Sequence, residues 1–357
     1  MISKLDHSQR RQSTSAAIVG AARQSRVLIA GGSFGALFLA LLLERQGVPY
    51  FIFDGGARIH HLGAALALGP SILPVFEQLG VTNLLASISL PCPTLEIYNH
   101  KLKKLGSIIM KDQSERTGYD NLICSRSNLY DLLFSQLNPV NVVSGKKILW
   151  YEENELGVNL CCSDNSIYSG DILVGADGVH SRVRKTMHKI LAKKNMLSRS
   201  DKEIVRPEYA LVTGVTHRQS AERYQCLKDP FVHFCSVVGV HGRGWNAINI
   251  PDDQICWSLW VQLDSTTDAQ VEDTENSEYG GENTEPIVKL FRDMPCPYGG
   301  TMGDLVDSTN DELKSKVYVE EKMFQTWYHG RTVLLGDGEY PSLPKEVVIC
   351  SSYRWRV

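Results

Sequence analysis

The segment Val27 to Leu43, VLIAGGSFGALFLALLL, constrains the fold of this chain more than any other. Its 17 uncharged residues lie between Arg26 and Glu44, at the lower end of the roughly 17 to 25 that a bilayer crossing needs. Gly31, Gly32 and Gly35 interrupt it after four aliphatic residues. That punctuation predicts a short buried strand, a tight turn and a buried helix instead of a membrane span. The continuation supports this choice, because VPYFIFD supplies a matching second strand. A strand, a helix and a second strand make a βαβ unit, which requires a parallel sheet.

The same alternation resumes later. Helices are expected near Pro70 to Leu79 and Asn128 to Leu137, and strands near Ile148 to Tyr151 and Val158 to Cys161. A strand at Asp171 to Ala176 should lead into a helix over Ser181 to Lys189. Between Tyr209 and Leu263 the period changes to two. Ile255, Trp257, Leu259, Val261 and Leu263 share one face, with Cys256, Ser258, Trp260 and Gln262 opposite, after a turn at Asn249 to Asp253. This predicts an antiparallel sheet in a second layer, a natural wall for a ligand cavity. Residues 264–285 hold eight acids and no Lys or Arg, so they read as a solvated loop. A final strand is expected at Arg331 to Leu335.

At 357 residues the chain is long enough for two domains. The boundaries expected are a flexible leader at 1–25, an α/β domain at 26–200, a β-rich domain at 201–325 and a return to the first domain at 326–357. The 37 Lys and Arg against 40 Asp and Glu leave a net charge of −3, so no cationic excess is available for nucleic acid. Nine cysteines without CxxC spacing read as reduced thiols. With no secretory signal in the polar leader, an intracellular, cytoplasmic location is expected.

Three stretches carry chemistry. In AGGSFGAL a turn joins strand to helix, where backbone N–H groups and the helix dipole can hold a pyrophosphate. The glycine pattern fits as Ala30, Gly32 and Gly35, or as Gly31, Ser33 and Ala36. The second register is preferred because it places the turn directly after the strand. Gly31, Gly32 and Ser33 are then the small residues where a larger side chain would obstruct phosphate. Asp54 ends the second strand 23 residues after Gly31, close to the roughly 20 expected for a carboxylate that accepts hydrogen bonds from an adenosine ribose. In ILVGADGVHSRVRK the strand meets Asp177 and Gly178, with Ser181 as N-cap. Asp177 can act there through its carboxylate or its backbone, and Arg182 and Arg184 add positive potential. The third stretch, GRTVLLGDGEYP, ends a strand at Asp337.

Together these stretches resemble the FAD-dependent monooxygenases of the aromatic hydroxylase type, the p-hydroxybenzoate hydroxylase-like enzymes, and in particular the fungal group that tailors secondary metabolites. The similarity runs from about Val27 to Pro344. It implies an α/β fold: a Rossmann-like FAD-binding domain with an inserted antiparallel β-sheet substrate domain. It also implies that Gly31 to Ala36 with Asp54 bind the ADP half of FAD. Asp177 and Gly178 would lie beside the pyrophosphate and NAD(P)H, and Gly336 with Asp337 at the ribityl chain. LGAALALG resembles a loop beside the flavin, which makes Gly63 and Ala67 candidate backbone contacts. SRSNLYDLL resembles the segment whose arginine, here Arg126, reaches FAD. A simple NAD dehydrogenase would leave the second and third stretches unexplained.

The implied reaction is NAD(P)H-driven, flavin-dependent hydroxylation or epoxidation of an aromatic or polycyclic small molecule. The cofactor carries the difficult step, so no catalytic acid, base or metal is expected. His60 and His61 are adjacent without HExxH spacing. Phe231, His233, Phe234, Trp245, Trp257 and Trp260 offer an aromatic wall for substrate, and His241 reads as a turn residue. After the third stretch the chain departs from the family: Tyr340 replaces a usual histidine, and KEVVICSSYRWRV replaces a glycine-containing loop and helix. The alternative reading is therefore a truncated flavin-fold chain without catalysis.

Overall fold

The computed structural model describes residues 25–56, 64–203, 207–263, 284–319 and 322–336. Gly63, Asp337, His60, His61 and nearly all of the leader and the acidic loop lie outside the described residues.

The chain opens with β1 (Val27–Ala30), α1 (Phe34–Arg45) and β2 (Tyr50–Asp54), as the glycine punctuation predicts. It continues through β3 (Ala65–Leu68), α2 (Leu73–Leu79), α3 (Thr82–Ser87), β4 (Ser89–Pro91), β5 (Thr94–Asn99) and β6 (Lys104–Ile109). Next come α4 (Lys111–Thr117), β7 (Leu122–Ser125), α5 (Arg126–Ser135), β8 (Val142–Ser144), β9 (Ile148–Asn154) and β10 (Gly157–Cys162). β11 (Ile167–Gly170), β12 (Ile172–Gly175) and α6 (Arg182–Lys193) complete the first α/β stretch. β13 (Tyr209–Val215), β14 (His233–Val238), β15 (Arg243–Ile250) and β16 (Gln254–Gln262) precede α7 (Glu285–Lys289), α8 (Met302–Asp307) and β17 (Lys314–Val319). The described chain ends with β18 (Tyr328–His329) and β19 (Thr332–Leu334).

Six strands form the first sheet in the order β18-β19-β12-β1-β2-β8. β1 pairs in parallel with both β12 and β2, and β12 pairs in parallel with β19. Because side chains alternate along a strand, Val27 and Ile29 enter the core shared with α1, α2, α3 and α5, while Leu28 and Ala30 enter the core shared with β9, β10 and α6. Cover on both faces explains why VLIA is apolar throughout. The 17-residue apolar run is thus divided between β1, a turn and α1, and no helix among the described residues is long and apolar enough to cross a membrane.

The second large sheet has seven strands, β17-β13-β16-β15-β14-β5-β6. All neighbours are antiparallel except β14 and β5. It thus takes two strands from residues 94–109, upstream of the period-two pattern. One face, with Val212, Val237, Trp245, Trp257 and Leu259, is covered by α7, α8 and Phe291. The other, with Val215, Phe234, Ile248 and Cys256, packs on Ala65 and Ile123 of the small sheet β3-β7-β4. Cys256 and Ser258 are consequently as buried as their neighbours, although alternation alone would have placed them outside. The expected turn at Asn249 to Asp253 is shorter than predicted, since Asn249 and Ile250 remain in β15. The Asn249 side chain accepts the His233 N–H at 2.6 Å and donates to the Cys226 and Phe231 carbonyls, which holds it inside the sheet.

Candidate functional site

Parallel pairing brings the carboxyl ends of β1, β2, β12 and β19 to one edge of the first sheet. Ala30 is level with Phe53 on one side and Gly175 on the other, and Gly175 is level with Leu334. Open parallel sheets bind ligands at this kind of edge.

The turn after β1 is shaped by close approach. Gly31 adopts φ +96°, and its N–H donates to the Phe53 carbonyl at 2.8 Å. A Cβ there would lie 2.4 Å from the Ala176 oxygen and 2.8 Å from the Asp177 α-carbon, so the first two motif turns pack backbone to backbone. At Gly32 a Cβ would lie 3.3 Å from Asp54 Cγ and 3.4 Å from the Tyr130 hydroxyl oxygen. Ser33 is the N-cap of α1, its Oγ accepting the Ala36 N–H at 3.4 Å. α1 has no acid in its first turn, so the positive end of its dipole reaches the turn uncompensated.

Asp54 closes β2 with its carboxylate accepting the Gly56 N–H at 3.3 Å, and burial raises its pKa above the usual Asp value. Beside it stands Tyr130 of α5, a residue the sequence reading did not single out. Its hydroxyl is buried and has no hydrogen-bond partner among the described residues, an arrangement that costs on the order of 1–3 kcal/mol. Burial and the neighbouring Asp54 charge push its pKa upward. The Tyr130 ring meets Phe34 edge-on at 5.9 Å, and the Arg126 guanidinium lies 5.4 Å from the Phe34 ring centre. Arg126 opens α5, and its N–H donates to the Ala64 carbonyl at 2.8 Å.

In the second stretch the Asp177 carboxylate is occupied. One oxygen accepts the Ser181 hydroxyl at 2.5 Å; the other accepts the Arg182 and Val183 N–H groups at 2.7 and 3.1 Å. Asp177 therefore caps α6, and of its two expected modes of action the backbone one is left free. Gly178, at φ +77°, makes the turn. Arg184 corrects the expectation of a doubly positive first turn: it is 8% exposed, its guanidinium stacks 4.4 Å from the Phe324 ring centre, and it donates to the Val179 carbonyl. Of the two arginines, Arg182 keeps its side chain at the surface.

The third stretch arrives through β19. Leu335 N–H donates to the Gly175 carbonyl at 2.9 Å, and a Cβ at Gly35 would touch Leu335 at 3.3 Å. Gly336 follows at φ +69°; Asp337 is outside the described residues. The segment expected to be a loop at Ala67 is β3, in which Ala67 lies opposite Ile123 of β7; Gly63 is outside the described residues. Antiparallel pairing with β7 gives this small-residue run a strand geometry that its composition alone did not signal.

The aromatic wall divides between two faces. Trp245 and Trp257 are 2% and 0% exposed in the core under α7 and α8, where their indole N–H groups donate to the Pro295 carbonyl and the Thr309 hydroxyl. They are packing residues. His233 is paired to Asp229 at 2.7 Å, and its ring lies against Phe231. His241 is exposed in the β14–β15 turn, as expected. On the face toward β3 and β7, Phe234 is buried and Trp260 lies across Gly244. That face also bears a row of polar residues in register across five strands: Ser315, Thr213, Ser258, Asn246 and Ser236. The Asn246 carbonyl oxygen and the Ser315 hydroxyl have no partner among the described residues. No cluster of three metal-ligating side chains occurs among the described residues.

Residues 24–198 match the family described as FAD binding domain. The FAD-dependent monooxygenase ptmM of Penicillium ochrochloron is 26% identical over 89% of this chain and 73% of its own length. The FAD-dependent monooxygenases penM of Penicillium crustosum and atmM of Aspergillus flavus are each 26% identical, over 90% and 89% of this chain. The chain spans only 65% and 64% of the length of these two relatives. Among solved structures, 2,6-dihydroxypyridine-3-hydroxylase from Arthrobacter nicotinovorans superposes with a TM-score of 0.69 at 18% identity, over 91% of this chain and 79% of that one. Klebsiella pneumoniae HpxO, solved with FAD and uric acid, gives 0.69 at 18%, over 90% and 75%. These likenesses establish the two-layer fold. Residues 24–198 are thus similar to an FAD binding domain, and the chain as a whole is similar to the FAD-dependent monooxygenases of fungi.

Proposed function

We propose that this chain is a monooxygenase that uses FAD and NAD(P)H to hydroxylate or epoxidise an aromatic or polycyclic natural product in secondary metabolism. The observation that carries the proposal is the meeting of four strand ends at one sheet edge, with Gly31 packed on the Ala176–Asp177 backbone. The residues present fit the cofactor. The turn at Gly31 and Gly32 leaves space that a Cβ would fill, and Tyr130 offers a hydroxyl with no partner. FAD, when bound, supplies acceptance of hydride from the nicotinamide and activation of dioxygen.

The protein's part is to bind, orient and exclude water. Gly31, Gly32 and Ser33, at the amino end of α1, hold the pyrophosphate with backbone N–H groups. Asp54 accepts hydrogen bonds from the adenosine ribose. Arg126 donates to phosphate or ribityl oxygens. Asp177, Gly178 and Ala67 contribute backbone. Substrate lies against the sheet face carrying Trp260 and the polar row, where the free Asn246 oxygen orients a hydroxyl-bearing molecule. The apolar contacts of Phe234, Ile248 and Cys256 with Ala65 and Ile123 keep water from that face.

The purified protein tests this reading. A yellow preparation with oxidised-flavin absorbance, and NADPH oxidation stimulated by an aromatic or polycyclic substrate, is the expected result. A colourless folded protein that ignores added FAD overturns it in favour of the non-catalytic alternative.

A further inference from the structure

We propose that Tyr130 is a positioning residue for the adenosine diphosphate half of the cofactor: in the loaded site its hydroxyl donates to the Asp54 carboxylate and holds that carboxylate toward the ribose. The inference rests on the proposed function and extends it to a residue outside the glycine turn and the strand-end acid.

Four observations converge on this assignment. The Tyr130 side chain is 7% exposed, yet its hydroxyl has no partner, although nearly all buried hydroxyls in folded proteins have one. The hydroxyl oxygen and Asp54 Cγ both approach the same empty position, the space a Gly32 side chain would occupy, at 3.4 and 3.3 Å. The Tyr130 ring is fixed there, edge-on to Phe34 at 5.9 Å and stacked on Phe134 at 6.0 Å and 20°. The Asp54 carboxylate has one hydrogen bond from the described chain, a long one of 3.3 Å from Gly56, so it retains acceptor capacity for both a ribose hydroxyl and a phenol. Were Tyr130 present for packing alone, phenylalanine would fill the same space without a stranded hydroxyl. The hydroxyl gains a partner once Asp54 turns to meet the ribose.

The test measures binding of FAD and of ADP to wild type, Tyr130→Phe, Asp54→Asn and the double variant, by flavin fluorescence quenching and calorimetry, together with melting of each unliganded protein. Tyr130→Phe is expected to bind both ligands about tenfold more weakly, the usual cost of a hydrogen bond to a charged group. Its unliganded melting temperature should be equal to or higher than wild type. In the double variant the two losses should not multiply, because both substitutions break one contact. Unchanged affinity in Tyr130→Phe, or losses that multiply in the double variant, would overturn the assignment. A wild type that binds neither FAD nor ADP would instead remove the proposed function, and the inference with it.

Discussion

The α-carbon of Gly31 faces the carbonyl of Ala176 so closely that a Cβ at Gly31 would lie 2.4 Å from that oxygen, with the backbone at φ +96°. Two motif turns separated by 145 positions in the sequence therefore depend on one missing side chain. Gly31→Ala is expected to cost more than about 2 kcal/mol, since the left-handed conformation alone costs roughly 1–2 and the clash adds to it. Gly47 is the control: it too has a positive φ, of +65°, but nothing lies within 4 Å of its added Cβ. Gly47→Ala should cost about 1 kcal/mol. Denaturant unfolding of the two variants measures the difference, and equal costs would remove the turn-on-turn packing from the account.

Asp54 makes opposite contributions to stability and to binding. Burial raises its pKa in the folded protein above that of the unfolded chain. Its stabilising contribution is therefore complete below the ordinary Asp value near about 4 and is lost as the pH rises through the higher folded value. At neutral pH an ionised Asp54 weighs against the unliganded fold. Asp54→Asn should then melt no lower than wild type at pH 7.5 and show a flatter dependence on pH. Ribose hydroxyls donate to the charged carboxylate, so FAD affinity of the wild type should fall on acidification through the raised pKa, whereas Asp54→Asn should bind about tenfold or more weakly at every pH. Calorimetric melting and FAD titration across pH check both signs.

What the sequence revealed follows from the physics of each part. β1, α1, β2 and the strand before Asp177 were legible because glycine punctuation and short aliphatic runs are local signals. That Ser33 also caps α1 was not read from the same segment; it shows only in the bond from the Ala36 N–H to its Oγ. Tyr130 was not legible, because a tyrosine in the pattern LYDLL looks like any helix core residue until α5 is packed beside Gly32. Arg184 misled for the same reason: sequence gives its charge, but only the position of Phe324, 140 residues on, turns it inward. The faces of the large sheet were ambiguous because alternation assigns two faces without saying that one is covered by α7 and α8 and the other by the small sheet β3-β7-β4. β5 escaped notice because its partner β14 lies more than 120 positions away, and β6 joins the sheet only through β5.

Asp177 is predicted to act through the turn it caps. Its two oxygens already accept one hydroxyl and two backbone N–H groups at the start of α6. Asp177→Ala should cost about 1–2 kcal/mol, as loss of a helix cap does, and should weaken FAD binding through the displaced backbone beside Gly31. Asp177→Asn keeps an acceptor for the α6 N–H groups and should bind FAD within a fewfold of wild type. A large loss in Asp177→Asn at unchanged stability would assign the carboxylate itself to the ligand.

The two faces of the seven-stranded sheet should separate stability from substrate use. Trp257 lies on the face under α7 and α8, fully buried, with its N–H given to the Thr309 hydroxyl at 2.9 Å. Trp257→Phe loses that hydrogen bond and part of the ring, which should cost about 1–3 kcal/mol in unfolding free energy. The variant should leave KM for substrate unchanged. Asn246 is one strand away on the opposite face, level with Ser258 and two residues from Ile248, which packs against the first-domain strands. Its carbonyl oxygen has no partner, so Asn246→Ala forfeits little that the unliganded fold relies on. It should raise KM for a hydroxyl-bearing substrate by about tenfold while FAD affinity stays at the wild-type value. Steady-state kinetics on both variants, with FAD titration in parallel, distinguishes the faces. A KM change in Trp257→Phe without one in Asn246→Ala would place substrate on the wrong side of the sheet for the proposed reaction.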